Sequence, residues 1–170
     1  AGHFGISTEQ IISSLARLQQ GFMRGNILHF AEGFAVIDDS YNSNPRALEL
    51  MIELLAELPS FKRRILMAGE MLELGKDSES LHFECGVFAA ARKLDMVIGI
   101  RGAAREIVRG ARASGMPELQ ALYFEDSDAA ASFINAELRE GDLVLIKGSR
   151  GVRTERVVES LRARFNIMVT

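Results

Sequence analysis

Two short runs of this 170-residue chain carry side chains suited to holding a charged ligand. In Ile37-Asp38-Asp39-Ser40-Tyr41-Asn42-Ser43-Asn44-Pro45, a carboxylate, a phenol and an amide follow an apolar, strand-like segment. They precede an N-cap and a proline at the first helical position, where its missing N–H does no harm. Asp39, Tyr41 and Asn42 therefore stand just past the carboxyl end of a strand, the rim at which open α/β sheets bind ligands, within reach of a nucleotide. The second run, Lys147-Gly148-Ser149-Arg150-Gly151, ends another apolar strand and leads into a helix. Two cations, a hydroxyl and free helix N–H groups at such a junction suit an anion, though a glycine-rich turn flanked by solvated charges has the same pattern. If the two strands are neighbours, both runs face one cleft.

Other groups carry less chemistry. Gly69-Glu70-Met71-Leu72-Glu73-Leu74-Gly75-Lys76-Asp77 looks at first like a phosphate loop, but Glu70 to Leu74 put one residue too many between the glycines. Asp77 then stands where a hydroxyl should hold magnesium and would repel phosphate. No Gly-x-Gly-x-x-Gly follows a strand, so if a nucleotide binds, something else grips most of its phosphates. His82 and Cys85 are spaced i, i+3 on an expected helix, but zinc needs three or four ligands, and Phe83, Val87 and Phe88 nearby indicate packing instead. Arg24, in Phe22-Met23-Arg24-Gly25-Asn26, stands in a loop before the first strand, where arginine is ordinarily solvated.

The elements that must position these groups alternate. Strand-like runs at Ile27 to Phe30, Phe34 to Asp38, Arg64 to Ala68, Met96 to Ile100, Leu122 to Phe124 and Leu143 to Lys147 are interleaved with helical periodicity at Pro45 to Leu58, Ser78 to Leu94, Ala103 to Ser114, Ser127 to Glu140 and Val152 to Phe165. Glu32-Gly33 joins the first two strands as a hairpin. The reading is an α/β fold, a Rossmann-like three-layer sandwich whose mostly parallel sheet of about six strands carries one antiparallel edge strand. Ser7-Thr8-Glu9-Gln10 resembles a capping box opening a helix with no strand before it, so Ala1 to Gln20 reads as a helix left from a preceding domain.

A hydrophobic content of 48% and a formal charge of −3, with acids and bases interspersed, point to one folded domain and away from nucleic acid. A single cysteine excludes an internal disulfide and suggests a reducing, cytoplasmic setting. No run approaches a membrane span, and no signal pattern opens the chain.

In order and spacing, Met23-Arg24-Gly25, the Ile37 to Pro45 run, Gly69-Glu70-Met71-Leu72-Glu73-Leu74-Gly75 with His82, and Val144-Leu145-Ile146-Lys147-Gly148-Ser149-Arg150 with Glu155 resemble the C-terminal domain of the Mur ligases, MurF type. The likeness covers Phe22 to Phe165. It implies that residues 1–21 are the last helix of the central ATPase domain plus a hinge, and that residues 22–170 are the Mur ligase C-terminal domain. Glu70 stands where the family usually carries aspartate, which keeps the charge and adds a methylene.

What the resemblance implies is ATP-dependent joining of D-alanyl-D-alanine to UDP-N-acetylmuramoyl-tripeptide in peptidoglycan precursor synthesis. ATP phosphorylates the tripeptide carboxylate, the dipeptide amine attacks the acyl phosphate, and Mg2+ balances the phosphate charge. The P-loop and most Mg2+ ligands belong to domains outside this chain, so the chain alone is expected to be inactive. By matching positions, Arg24 and Asp39 take catalytic and cofactor-binding roles, Arg24 on phosphate and Asp39 on ribose. Tyr41 and Asn42 line the nucleotide side; Lys147, Ser149 and Arg150 face the dipeptide or the tripeptide end. The competing reading is a free-standing Rossmann-like module that binds a nucleotide or anion for regulation.

Overall fold

The apolar runs bounded by turn residues become strands β1 (Asn26–His29), β2 (Ala35–Asp39), β3 (Arg63–Gly69), β4 (Met96–Ile100), β5 (Ala121–Phe124) and β6 (Asp142–Lys147). Helices α1 (Pro45–Glu57), α2 (Ser78–Ala91), α3 (Ala104–Ala113), α4 (Ser127–Glu137) and α5 (Glu155–Arg164) follow β2 to β6 in spatial alternation, each leaving the carboxyl end of one strand. The computed structural model describes Met23 and residues 25–168. The helix expected within residues 1–21, and Arg24, lie outside the described residues.

The sheet order is β1-β2-β6-β3-β4-β5, with β1 antiparallel to β2 and the other pairs parallel. β6 runs Asp-Leu-Val-Leu-Ile-Lys and is buried along its whole length, the pattern of a strand covered on both faces. Its register pairs Lys147 with Asp39 of β2 on one side and with Ala68 of β3 on the other. Alternate residues feed two cores. Ala35, Ile37, Leu66 and Leu145 pack against Leu48 and Ile52 of α1, Cys85 and Ala89 of α2 and Ile107 of α3. Val36, Met67, Val144 and Ile146 pack against Ile134 of α4 and Val157 and Leu161 of α5. The chain thus leaves β2 and β3 toward one face and β6, between them, toward the other, which opens a crevice at the tip of β6.

Local chemistry fixes the elements. Asn44 accepts a hydrogen bond from the Ala47 N–H at 2.9 Å, Pro45 occupies the first turn, and Leu48, Ile52 and Leu55 give α1 one fully buried stripe. α2 and α3 meet backbone to backbone. A Cβ added to Gly86 would lie 1.9 Å from the Ile107 carbonyl oxygen, and one on Gly110 2.1 Å from that of Phe83.

Several helix ends depart from the periodicity. α2 stops at Ala91 because Lys93 turns left-handed, φ 57°, and the Leu94 N–H bonds back to the Ala89 carbonyl, a closing motif that a lysine does not announce. α5 starts at Glu155, not Val152, because Arg150–Val152 form a 3-10 turn and Arg153 is left-handed at φ 64°. α4 ends at Glu137 because Leu138 is extended and Arg139 N–H bonds the Asp142 carboxylate.

Candidate functional site

Lys147 is the last residue of β6, and its ammonium reaches sideways to the loop after β2. Nζ lies 2.5 Å from Asp39 Oδ2 and donates to the Asn42 carbonyl at 2.9 Å. The lysine side chain is 4% exposed and the aspartate side chain 16%, so each charge sits largely out of water and depends on the other. The two runs singled out in the sequence therefore meet at one place on the rim.

The β2 loop shapes itself with its own side chains. Asp38, buried, accepts from the Ser40 hydroxyl at 2.6 Å and from the Ser40 N–H at 3.3 Å, while Asn42 Oδ1 accepts from the Ser43 N–H at 2.9 Å. This turn presents Asp39, Tyr41 and Asn42 to an open cleft of about 420 Å³ that Asn44, Ala47 and Met51 of the α1 start also line. Polar acceptors beside the apolar surface of Ala47 and Met51 suit a ligand with an apolar part and hydroxyl groups.

The loop from Lys147 to Val152 is fastened to the segments that follow all four of the other parallel strands. Arg150 places its guanidinium 4.7 Å from the Tyr41 ring centroid, joining it to the β2 loop by a cation–π contact. Ser149 accepts from the Leu72 N–H at 3.2 Å, Arg101 after β4 donates to the Gly151 carbonyl at 2.6 Å, and Ser127 at the start of α4 donates to the Val152 carbonyl at 3.0 Å.

The glycine-rich run after β3 is a held loop. The Met71 N–H donates to His82 Nε2 at 2.8 Å, so the ring carries its proton on Nδ1 and donates it to the Ser78 carbonyl at 2.7 Å. Burial lowers the His82 pKa, keeping the ring neutral. Glu70 accepts from the Ala103 N–H at 3.0 Å beside the first turn of α3, and Gly102 takes the left-handed backbone, φ 49°, that favours glycine, with its Cα packed against that carboxylate. Cys85 is buried in the α2 core, where desolvation and then Glu49 and Glu84 push its thiol up to about 12.

Of the residues expected at the site, Asp39, Tyr41, Asn42, Lys147, Ser149 and Arg150 are brought together on one rim. Lys147 is committed to Asp39 and the Asn42 carbonyl, and Ser149 to Leu72, so neither side chain stands free. Sequence reasoning overlooked Arg101 and Leu72. The signal was present, since Arg101 follows the carboxyl end of β4 as Asp39 ends β2.

Fold and rim together define an α/β domain that gathers charged and polar side chains at its strand tips. Comparison with known proteins gives the family. The model of the family described as Mur ligase, glutamate ligase domain, matches residues 23–150, and the chain belongs to that family. It is similar to the UDP-N-acetylmuramoyl-tripeptide--D-alanyl-D-alanine ligase of Bacillus subtilis (strain 168), 31% identical over 159 residues covering 94% of this chain and 35% of that protein. The ligase of the same name from Escherichia coli (strain K12) is 32% identical over 160 residues, covering 93% and 33%. Among solved structures, the MurF ligase from Thermotoga maritima in complex with ADP superposes with a TM-score of 0.72 at 30% identity, covering 90% of this chain and 33% of that one. The chain thus spans about a third of the length of the relatives it matches.

Proposed function

We propose that this chain is the closing domain of an ATP-dependent ligase that adds D-alanyl-D-alanine to UDP-N-acetylmuramoyl-tripeptide, in the cytoplasmic synthesis of peptidoglycan precursor. The observation that carries the reading is the junction of the Asp39 and Lys147 loops beside the 420 Å³ cleft, which makes one half of a nucleotide site. Asp39 accepts from the ribose hydroxyls, with Tyr41 and Asn42 along the nucleoside. Lys147 acts as a positioning residue: its ammonium fixes the Asp39 carboxylate and the Asn42 backbone in place before ligand arrives. Arg24 contacts phosphate, where a planar guanidinium suits two oxygens at once. Ser149 and Arg150 face the peptide substrates, Ser149 chiefly by holding the Leu72 loop.

Mg2+, when bound, neutralises phosphate charge, and its ligands belong mainly to the preceding domain, as does the phosphate loop. By the same reading, residues 1–21 belong to the end of that domain and its hinge, and residues 22–170 to the domain that closes. Phosphoryl transfer depends on positioning and charge stabilisation, so the two halves must meet for catalysis.

The test is an assay of the full-length protein with ATP, UDP-N-acetylmuramoyl-tripeptide and D-alanyl-D-alanine. The expected result is ADP release that requires all three and a product larger by the dipeptide. ATP hydrolysis indifferent to the dipeptide, with no such product, defeats the reading.

A further inference from the structure

The segment after β3 is tied down at three successive residues, each by a different element. Glu70 accepts from the Ala103 N–H at 3.0 Å before α3, the Met71 N–H donates to His82 of α2 at 2.8 Å, and the Leu72 N–H donates to Ser149 of the β6 loop at 3.2 Å. The chain then reverses through two left-handed residues, Glu73 at φ 66° and Gly75 at φ 63°, and a 3-10 turn over Gly75–Asp77 delivers it into α2. That backbone is uncommon for glutamate and persists where the surroundings hold it. Of the three ties, the one to His82 is enclosed: the ring is 0% exposed and Met71 1%, whereas the other two are partly open to solvent. Water cannot replace the Met71 bond if it is lost. The ring serves both ends at once, Nε2 accepting from Met71 while Nδ1 donates to the Ser78 carbonyl at 2.7 Å. Only the neutral imidazole does both, since a second ring proton would set Nε2–H against the Met71 N–H. The charged groups that face the ring are Glu70 from the loop and Glu106 from α3; desolvation outweighs their preference for the imidazolium.

We propose that His82 is a positioning residue for the rim: its neutral ring holds Met71, Met71 fixes the Leu72 N–H, and that N–H orients Ser149, so a side chain that touches no substrate sets how well substrate binds. The assignment rests on the ligase reading given above. The links run through consecutive residues of one short segment, so a shift at Met71 passes directly to Leu72 and across to the β6 loop, where Lys147 in turn holds Asp39. A ring that only fills the core would matter for stability and leave substrate affinity alone.

The experiment measures KM for D-alanyl-D-alanine in the full-length ligase between about pH 8 and pH 5, at saturating ATP and tripeptide, with melting at each pH to confirm that the protein is folded. His82→Gln keeps an acceptor for the Met71 N–H and has no proton to gain. It is expected to stay within about threefold of the wild-type KM at pH 8. The ratio of wild-type to His82→Gln KM cancels the titration of the dipeptide amine, and it is expected to rise as pH falls below about 6.5. His82→Phe fills the space and strands the Met71 N–H, and its KM is expected to be about 5- to 100-fold higher throughout, the penalty of one buried unpaired donor. A wild-type to His82→Gln ratio that stays flat overturns the proposal, as does a folded His82→Phe enzyme that binds the dipeptide like the wild type. If His82→Phe does not fold, the pH-dependent ratio decides alone. A wild type that makes no dipeptide product removes the ligase reading itself, a failure distinct from both variant outcomes.

Discussion

At the scale of single residues, the site rests on charges withdrawn from water. Lys147 and Asp39 hold each other at the β6 and β2 tips, and removing either leaves the other stranded. Breaking a fully buried pair costs about 3–5 kcal/mol, and the 16% exposure of the aspartate side chain puts Lys147→Met near the lower end. Chemical denaturation should show that loss. In the full-length enzyme Lys147→Met should also raise KM for ATP, because the Asn42 carbonyl and the Asp39 carboxylate lose their common anchor; an unchanged KM would remove the positioning role. His82 works in the opposite electrostatic sense. Burial lowers its pKa below the ordinary 6.5, so the unfolded chain binds the proton first as pH falls. Its contribution to stability is therefore complete above about pH 6.5 and is lost as pH drops through the lowered native value. Protonation also turns Nε2 from an acceptor into a donor facing the Met71 N–H. Unfolding followed from pH 8 to pH 5 should show this loss, and His82→Gln should flatten the slope.

Among the elements, α2 and α3 are the pair whose packing leaves least room. Gly86 and Gly110 let the two helices approach until backbone meets backbone, and the Ile107 carbonyl oxygen stands where a Gly86 side chain would go. Because the obstacle is main chain and not a flexible side chain, Gly86→Ala must push α3 outward. Overpacking of this kind costs about 1–3 kcal/mol, and the rigid obstacle places Gly86→Ala at the upper end; thermal melting measures it. The shift would move Glu106 and Ala104 with α3, and hence the Arg101–Gly102 turn that precedes them. The sequence shows these glycines and even their place in helical runs, but glycine inside a helix lowers helix propensity and gives no hint of a partner. What makes Gly86 necessary is a helix whose start lies many residues further along the chain. The helix ends at Lys93 and Arg153 were hidden for a related reason: both residues adopt a backbone conformation that their side chains do not favour, held by bonds and packing around them.

For the whole molecule, the proposed half-site predicts weak binding by this chain alone. In isolation this chain should bind ATP far more weakly than the full-length protein does and should turn none over, since all the groups proposed to grip the phosphates, save Arg24, stand on another domain. Titration calorimetry on both forms checks this, and micromolar affinity for the isolated chain would favour the self-contained binding module instead. Much of the architecture was legible beforehand. Alternating apolar runs, Asn44-Pro45 and the Lys147 to Gly151 junction gave the strands, the start of α1 and the two loops, because side-chain period and capping chemistry are local properties written within a few residues. That β6 inserts between β2 and β3 was a different kind of fact. It depends on which face each connecting helix can cover once all the strands compete for neighbours, and the answer joined Asp39 to Lys147 across more than a hundred residues of chain. Residue type thus determined what each loop was able to hold. Which loops meet, and which cation is consumed in holding them together, were decided only in three dimensions, because charges lose their water and find their partners only when the sheet is complete.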